Sequence, residues 1–251
     1  MCCEVSPMKA YTILRHRAGA PVLLTCEHAS PRIPLRYGTL GLRRAQLPHV
    51  SDWYDIGAAA VTRLLSTHLR ATAVLATHSR LVVDLARFPD DPFCVRPHSR
   101  GTPIPCNKGI TRRERRERVR RYHKPYHDRV RAELRRLSQH QHVLLIDIHS
   151  FNHVLNGERR DTDIGILFAH DRARPLCRKL RTSLASSGLR IDYNKPYSAK
   201  ETAGQMLKMH DEPRVQGIEF EINDRLLQTT AGIQRIAVLL GASISPLLSP
   251  S

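Results

Sequence analysis

The stretch Val143-Leu-Leu-Ile-Asp-Ile-His-Ser-Phe151 decides the fold of this 251-residue chain. Its first six residues form a nearly continuous apolar run, which is typical of a buried strand. Asp147, His149 and Ser150 stand where the run ends. Polar groups at the end of a buried strand point into the crevice where open α/β sheets bind ligands. The stretch therefore predicts a sheet and the edge of that sheet at which a site lies.

Two other apolar segments carry ionisable side chains in comparable places. Pro21-Val-Leu-Leu-Thr-Cys-Glu-His28 ends in a glutamate and a histidine, and Gln216-Gly-Ile-Glu-Phe-Glu-Ile-Asn-Asp224 carries Glu219 and Glu221. Residues two apart lie on the same face of a strand, so these two glutamates share a face. Three apolar strands with acidic or imidazole groups together indicate a metal-hydrolase site, which no single one of them would.

Strands alternate with helices along the rest of the sequence. Strands are predicted at residues 71–76, 80–85 and 164–168, helices at 51–70, 172–187 and 229–247, and a proline-rich loop at 87–105. This alternation is typical of an α/β fold with a mostly parallel or mixed central sheet and helices on both faces. We expect an N-terminal extension over residues 1–20 and a single domain over residues 21–251, a length that one core can reach.

The net charge of +17 is concentrated in one segment. Residues 111–136 hold twelve basic and four acidic residues, predicted as a basic helix interrupted near Lys124-Pro125. Such a segment can bind the phosphate backbone of nucleic acid, or it can be the solvated face of a helix with Glu/Arg pairs. The aromatic content of 5% argues against a base-stacking surface, and the solvated face is the favoured interpretation. A high positive charge also attracts anionic substrates.

The cysteines and the N-terminus indicate a cytoplasmic protein. The six cysteines contain no CxxC pair, which disfavours a zinc ribbon or a disulfide framework. The first seven residues lack the apolar core of a secretory signal. No continuous run approaches the roughly 18 apolar residues that a membrane span needs. We therefore expect a reduced protein without a membrane partner.

Several short motifs resemble one family. The chain resembles the N-formylglutamate amidohydrolase family over roughly residues 22–227, with the motifs in the family's order. They are Thr25-Cys-Glu-His-Ala-Ser-Pro-Arg-Ile-Pro34, Ser79-Arg-Leu-Val-Val-Asp-Leu-Ala-Arg87, Tyr122-His-Lys-Pro-Tyr-His127, Asp147-Ile-His-Ser150 and Glu219-Phe-Glu-Ile-Asn-Asp224. The resemblance implies a phosphorylase/hydrolase-like fold, similar to that of the zinc carboxypeptidases.

The resemblance also implies a catalytic centre with zinc or another divalent metal. It assigns metal binding to His28 and His149 and the activation of water to Glu221. Catalytic zinc usually has three protein ligands, and a carboxylate at the start of the helix after the first loop is the expected third one. Asp52 is preferred for this position, and Asp55 and Glu27 stay open as alternatives.

Two departures from the family pattern bear on the substrate. Ala86 stands where the family usually has asparagine, and Asn223 stands where it usually has arginine. Both positions bear on recognition of a substrate carboxylate, for which arginine is the usual partner. Arg80 and Arg87 are the candidates for this contact, with an ion pair to Asp84 as the alternative for Arg80.

The expected activity is that of a metal-dependent amidohydrolase. Its substrate would be a small anionic N-formyl or N-acyl amino acid such as N-formylglutamate. The alternatives are carboxypeptidase-like or deacylase activity on another substrate, and a basic nucleic-acid-binding protein without activity. His123 and His127 could donate hydrogen bonds to the substrate, or they could belong to a solvated basic helix.

Overall fold

The computed structural model describes residues 9–16, 19–43, 45–46, 53–201 and 203–248, and it is built on a central sheet of seven strands. The strands of the chain are β1 (Tyr11–Leu14), β2 (Val22–Cys26), β3 (Thr72–Ala76), β4 (His98–Ser99), β5 (Thr102–Pro103), β6 (Val143–Phe151), β7 (Val154–Leu155), β8 (Glu158–Arg159), β9 (Ile164–Leu167), β10 (Ile191–Tyr193) and β11 (Val215–Asn223). The order in the central sheet is β1-β3-β2-β6-β11-β9-β10, while β4-β5 and β7-β8 form two separate ribbons.

The central sheet is mixed. Strands β3, β2, β6 and β11 run parallel to one another. At the two sides of this block, β1 pairs antiparallel with β3, and β9 pairs antiparallel with β11. The carboxyl ends of four neighbouring strands therefore meet at one edge, and the predicted α/β fold with a mixed sheet is confirmed.

Helices cover both faces of the sheet, as predicted. They are α1 (Ala58–Leu69), α2 (Arg112–Arg118), α3 (Lys124–Leu137), α4 (Arg174–Leu184), α5 (Gln205–Met209) and α6 (Thr230–Ile244), with a π-helical turn at Val119–His123. Short 3-10 turns occur at Leu35–Tyr37, Pro92–Val95, Asp171–Ala173, Ala185–Ser187, Asp224–Leu226 and Ser245–Leu247. Apolar side chains of α1, α4 and α6 form one core with the sheet, and those of α3 and α5 form a second core on the opposite face.

The alternation of side chains along β6 separates the two faces chemically. Ile146 and Ile148 belong to the core under α1, α4 and α6. Asp147 and His149 alternate with them and therefore point to the face that carries α3. One strand thus supplies both a core row and a polar row.

The predicted strand at residues 80–85 is wrong. Its apolar residues are buried in the core under α3, but the backbone there turns rather than pairs. The hydroxyl of Ser79 accepts a hydrogen bond from Leu81 N at 3.1 Å, and Val82 N bonds to Ser79 O at 3.0 Å. A serine side chain that competes for backbone donors in this way favours a turn over a strand.

The first strand and the first helix also differ from the prediction. Strand β1 lies in the segment that we assigned to an N-terminal extension, so the sheet reaches into residues 1–20. Helix α1 begins at Ala58, after Gly57 in the left-handed conformation, and not at the capping positions Ser51 or Asp52, which lie outside the described residues. Asp55 therefore lies in the turn before the helix.

The basic segment 111–136 forms α2, the π-helical turn and α3. The helix continues through Pro125, the second residue of α3, so the predicted interruption is the π-helical turn just before it. Its acids pair with neighbouring basic residues, such as Glu117 with Arg120 at 2.9 Å and Asp128 with Arg131 at 3.1 Å. These pairs are those of a solvated helix face.

One helical stretch in the described part of the chain is long and apolar enough for a membrane span. It covers Thr230–Leu247, with a mean hydropathy of 1.2. Its buried residues, among them Ile236, Leu240 and Ile244, belong to the core with α1 and the sheet. The buried share of this window is 33%.

Candidate active site

The candidate site lies at the carboxyl ends of the parallel strands, on the face that carries α3. The register of β2, β6 and β11 places Thr25 beside Asp147 and Asp147 beside Glu219. In the row nearer the strand ends, His149 lies beside Glu221. The sheet thus brings together residues from distant parts of the sequence, as the polar strand ends predicted.

Three buried side chains converge at this edge, and we call them the metal cradle: His28, Asp55 and His149. His149 Nδ1 lies 2.8 Å from Asp55 Oδ2 and 3.1 Å from His28 Nδ1. His28 Nδ1 lies 3.4 Å from the same oxygen of Asp55. His28 follows β2, His149 belongs to β6, and the backbone of Asp55 is fixed by its N–H, which bonds to His28 O at 2.9 Å.

The donor atoms of the cradle fit a divalent cation. His28 Nε2 lies 2.8 Å from Asp84 Oδ1, and His149 Nε2 lies 3.1 Å from Asp147 Oδ2. An ionised carboxylate only accepts hydrogen bonds, so both Nε2 atoms carry protons, and both Nδ1 atoms face Asp55. Three electron-pair donors facing one another need a proton or a cation between them. Two imidazoles and a carboxylate are a typical zinc set, and carboxylates behind the imidazoles orient them.

The pKa values of the cradle reflect the same convergence. Burial alone would raise the pKa of Asp55, but the nearby imidazoles of His28 and His149 hold it well below its ordinary value. Burial alone would lower the pKa of His149, but Asp147 and the surrounding carboxylates raise it well above its ordinary value. A second proton on His149 can therefore lie between the three electron-pair donors of the cradle, in the place that a metal ion would take.

Of the three carboxylates considered as the third metal ligand, the structure brings Asp55 into the cradle. The preferred residue, Asp52, lies outside the described residues. Glu27 Oε2 lies 3.2 Å from His149 Nε2, which is the nitrogen turned away from the cradle. With Asp147 it forms a second close group of possible ligand atoms around that nitrogen, so Glu27 supports the imidazole from behind.

The acids behind the cradle differ in their protonation. Burial, together with Asp147, raises the pKa of Glu27 to about 8, and Tyr126 donates a hydrogen bond to its Oε1 at 2.9 Å. Burial raises the pKa of Glu219 to about 8 as well. Against the effect of burial, His149 lowers the pKa of Asp147 to about 2. At neutral pH this cluster therefore carries less negative charge than its composition implies.

Glu221 has the surroundings of a general base. Its side chain lines the cavity in front of the cradle, and its Oε2 is buried without a hydrogen-bond partner among the described residues. Burial and the neighbouring Glu219 raise its pKa well above the ordinary value. A carboxylate with a raised pKa takes up a proton readily near neutral pH.

A cavity of about 280 Å³ opens in front of the cradle. Four arginines line it, and we call them the arginine rim: Arg80, Arg87, Arg96 and Arg100. Asp84 Oδ2 accepts hydrogen bonds from Arg80 at 2.8 Å and from Arg96 at 2.7 Å, so the ion pair considered for Arg80 is present. The pKa of Asp84 stays well below its ordinary value despite burial, because these cations stabilise its charge.

The two departures from the family pattern have different surroundings. Ala86 lines the cavity directly. The side chain of Asn223 donates hydrogen bonds to Thr162 O at 2.9 Å and Arg160 O at 3.3 Å, and its oxygen accepts one from Arg225 N. Asn223 therefore ties together backbone segments beside the cavity, and Arg225 is paired with Asp163.

A further wall of the cavity comes from the segment after β10. The chain turns back across β9 at Gly165, where a side-chain carbon would overlap with Lys195 O. Tyr197 then reaches the cavity, and its hydroxyl accepts a hydrogen bond from Arg160 at 2.8 Å. Residue 165 must be glycine for this wall to form.

His123 and His127, considered as donors to the substrate, are buried and are not among the residues that line the cavity. Their Nε2 atoms instead bind the carbonyl oxygens of Arg87 at 2.8 Å and Leu85 at 2.9 Å. They are not part of a solvated helix face either.

Sequence reasoning did not find Arg96, Arg100 or Tyr197. Arg100 lies in the tight turn between β4 and β5, with a positive φ of 46°, followed by Gly101. The dipeptide Arg100-Gly101 is a turn signal, but nothing in it indicates that the turn would face a cavity. Such placement depends on long-range packing.

Comparisons with known proteins give a family match and a matching fold. The sequence matches the model of a family described as N-formylglutamate amidohydrolase over residues 20–228. The crystal structure of gene product Atu2144 from Agrobacterium tumefaciens is 33% identical, with a TM-score of 0.87, and the alignment covers 96% of this chain and 97% of that chain. None of the curated proteins matches the sequence significantly.

A more distant structure shares the fold. The N-formylglutamate amidohydrolase from Ralstonia eutropha JMP134 is 18% identical, with a TM-score of 0.76, and the alignment covers 96% of this chain and 98% of that chain. The matched region includes every residue of the metal cradle and of the arginine rim.

Proposed function

Because the chain belongs to the N-formylglutamate amidohydrolase family, as its motifs predicted, we propose that it cleaves the linear amide bond of an N-formyl or N-acyl amino acid. Family membership makes it a hydrolase of carbon–nitrogen bonds other than peptide bonds. The observation that carries the proposal is the position of the metal cradle, which faces Glu221 inside an arginine-lined cavity.

His28, Asp55 and His149 are proposed as the ligands of a divalent cation, which we expect to be zinc. The imidazole and carboxylate donors support zinc over the hard cations magnesium and calcium, which prefer oxygen alone. When bound, such an ion makes a water molecule more acidic and polarises the substrate carbonyl. Asp84 and Asp147 keep the two imidazoles in the tautomer that turns Nδ1 toward the cradle.

Glu221 is proposed as the general base and then the general acid. Its unpartnered Oε2 would take the proton of the attacking water and deliver it to the nitrogen of the leaving amine. Glu219 lies two residues earlier on the same face, beside Asp147 and not beside the cradle histidine His149, so we assign it a supporting role. Turnover should therefore depend on Glu221 far more than on Glu219.

Arg80 and Arg87 are proposed to bind the carboxylate of the substrate. Arg87 lines the cavity, and its Nη1 lies 3.5 Å from Asp91 near the surface. Arg80 is held by Asp84 and lies 3.9 Å from Asp55, so it is a rim arginine that borders the cradle. Ala86 and Asn223 leave the choice between N-formylglutamate and another N-acyl amino acid to experiment.

The test is a metal-reconstitution assay. The purified protein, treated with chelator and reloaded with zinc, cobalt, manganese or magnesium, is assayed against N-formyl and N-acetyl forms of acidic, neutral and basic amino acids. We expect stoichiometric zinc and chelator-sensitive hydrolysis of acidic N-acyl amino acids. Release of C-terminal residues from peptides would instead favour the carboxypeptidase-like alternative, and absence of bound metal would contradict the proposal.

Nucleic-acid binding through residues 111–136 stays an alternative prediction. Arg112, Arg113 and Arg116 are exposed on α2, but the pairing of the acids in this segment supports a solvated face. A cytoplasmic location also stays a prediction, and the free thiols of Cys26, Cys94, Cys106 and Cys177 are compatible with it.

A further inference from the structure

Three buried histidines form a chain beside the cavity. His123, His127 and His210 have exposed fractions of 3%, 4% and 1%, and they are absent from the cavity lining among the described residues. His127 Nδ1 lies 3.0 Å from His210 Nε2, and the two rings stack with centroids 5.2 Å apart. The rings of His123 and His127 are in contact, with centroids 4.3 Å apart, and the hydrogen-bonded pair of His127 and His210 needs one donor and one acceptor.

The carbonyl partners determine that order. The Nε2 atoms of His123 and His127 bind Arg87 O and Leu85 O, and a carbonyl oxygen only accepts, so both Nε2 atoms carry protons. His123 and His127 are four residues apart, so they lie on the same face of the helix and reach the same segment of chain.

The same segment is held from its other side. Ala86 N donates a hydrogen bond to Asp84 Oδ1 at 3.1 Å, and Asp84 also binds Arg80 and Arg96. Residues 85–87 are therefore fixed by hydrogen bonds from the helix histidines on one side and from the buried carboxylate of Asp84 on the other. Ala86 and Arg87 are the residues of this segment that line the cavity.

His127 joins this segment to the opposite wall. With its proton on Nε2, neutral His127 accepts at Nδ1 the hydrogen bond that His210 Nε2 donates. His210 follows α5, and the residues just before it, Gly204, Gln205 and Met206, line the cavity. Burial lowers the pKa values of all three histidines, which favours the neutral forms that this order requires.

We propose that His123, His127 and His210 are positioning residues that hold two walls of the substrate cavity, the Leu85–Arg87 segment and the α5 segment, in register with each other. The proposal rests on the proposed function for its consequence, which is the placement of Arg87 against the substrate carboxylate. The three histidines do not contact the metal cradle, so they set the binding of the substrate without changing the binding of the metal.

The test compares three variants of the full chain. His127→Leu removes both hydrogen bonds of this imidazole, His127→Gln keeps a donor for Leu85 O, and Val130→Ala opens a small hole in the same core without removing a hydrogen bond. Measured are KM, kcat, zinc content and the hydrogen–deuterium exchange of the backbone around Ala86. For His127→Leu we expect KM to rise about tenfold, because the loss of the two hydrogen bonds loosens the segment that carries Arg87, with kcat and zinc content little changed.

Hydrogen–deuterium exchange around Ala86 should become at least about fivefold faster in His127→Leu than in Val130→Ala. In His127→Gln, both KM and this exchange rate should return most of the way to the wild-type values. If His127→Leu does not fold, His210→Leu gives the second test, because it removes only the bond between the walls, and faster exchange around α5 is then expected. Equal exchange in His127→Leu (or His210→Leu) and Val130→Ala would overturn the proposal. If the wild-type protein hydrolyses no N-acyl amino acid, the proposed function fails, while the exchange measurement still decides whether the histidines hold the walls.

Discussion

The metal cradle and the arginine rim lie a few ångströms apart, but they are built in different ways. His28 and His149 sit at the ends of neighbouring parallel strands, where the register of the backbone sets their separation. Arg87 and Arg96 sit on a long loop, where ion pairs with Asp91 and Asp84 set their positions. The separation of the two histidines is thus set by the backbone of the sheet. The positions of the loop arginines depend on individual side-chain contacts, so we expect single substitutions in the loop to change substrate binding.

The largest effect should come from the base beside the cradle. Glu221→Gln is expected to lower kcat by at least about a thousandfold, within the range for general acid–base catalysis, because the amide cannot take up the proton of water. Zinc content should stay that of the wild type, since Glu221 is not in the cradle. Steady-state kinetics and metal analysis of the same sample check both expectations.

Glu219→Gln is the matched control for this experiment. Glu219 lies one row further from the strand ends, beside Asp147, and glutamine keeps the size and shape of its side chain. Its kcat should therefore stay within about tenfold of the wild type. If Glu219→Gln lowers kcat more than Glu221→Gln does, the general base is Glu219 and not Glu221.

The next effect should come from the carboxylate of the cradle. Asp55→Ala is expected to weaken zinc binding by at least about a hundredfold, because it removes one of three protein ligands. Competition with a chelator of known affinity measures the loss. Asp52→Ala is the comparison variant. If zinc affinity falls more in Asp52→Ala than in Asp55→Ala, then Asp52, the residue preferred from the sequence, is the third ligand.

A smaller effect is expected at the rim. Arg87→Met should raise KM for acidic N-acyl amino acids about tenfold to a hundredfold, the range for a lost hydrogen bond to a charged group, and it should leave kcat and zinc binding nearly unchanged. Arg112→Met, which removes an equal charge from the exposed face of α2, is the control. The assignment fails if the two variants have the same KM.

The smallest effect concerns stability in acid. Burial lowers the pKa of His210 to about 4, whereas an unfolded histidine has a pKa of about 6.5. Between these values the unfolded chain binds a proton that the folded chain does not, so the stability falls as the pH falls, by at most about 3 kcal/mol for this group. Urea unfolding at pH 5 and 7.5 should show a smaller difference for His210→Gln than for the wild type. If the difference in unfolding free energy between the two pH values is the same in both proteins, protonation of His210 does not cause the loss of stability in acid.

Two of the three cradle residues, His28 and His149, and two of the four rim residues, Arg80 and Arg87, were named from the sequence. The apolar runs before His28 and His149 and the alternation around Glu221 located one face and one edge of the sheet, because the period of a strand is a local property. The positions of Arg96 and Arg100 depend on how a long loop packs, which no local pattern encodes. The same limit explains the error at residues 80–85, where the apolar pattern was correct but Ser79 turned the backbone.

Gly165 connects the fold to the choice of substrate in a way that matters for engineering. It lies on a strand beyond β11 and is absent from the residues that line the cavity, yet the wall that carries Tyr197 can approach only because this position lacks a side chain. Replacing it with alanine would push that wall outward and enlarge the chamber while every group in contact with the substrate keeps its identity. Gly165 is also the register partner of Glu221 on the neighbouring strand, so the width of the chamber and the position of the proposed base are set at the same pair of residues.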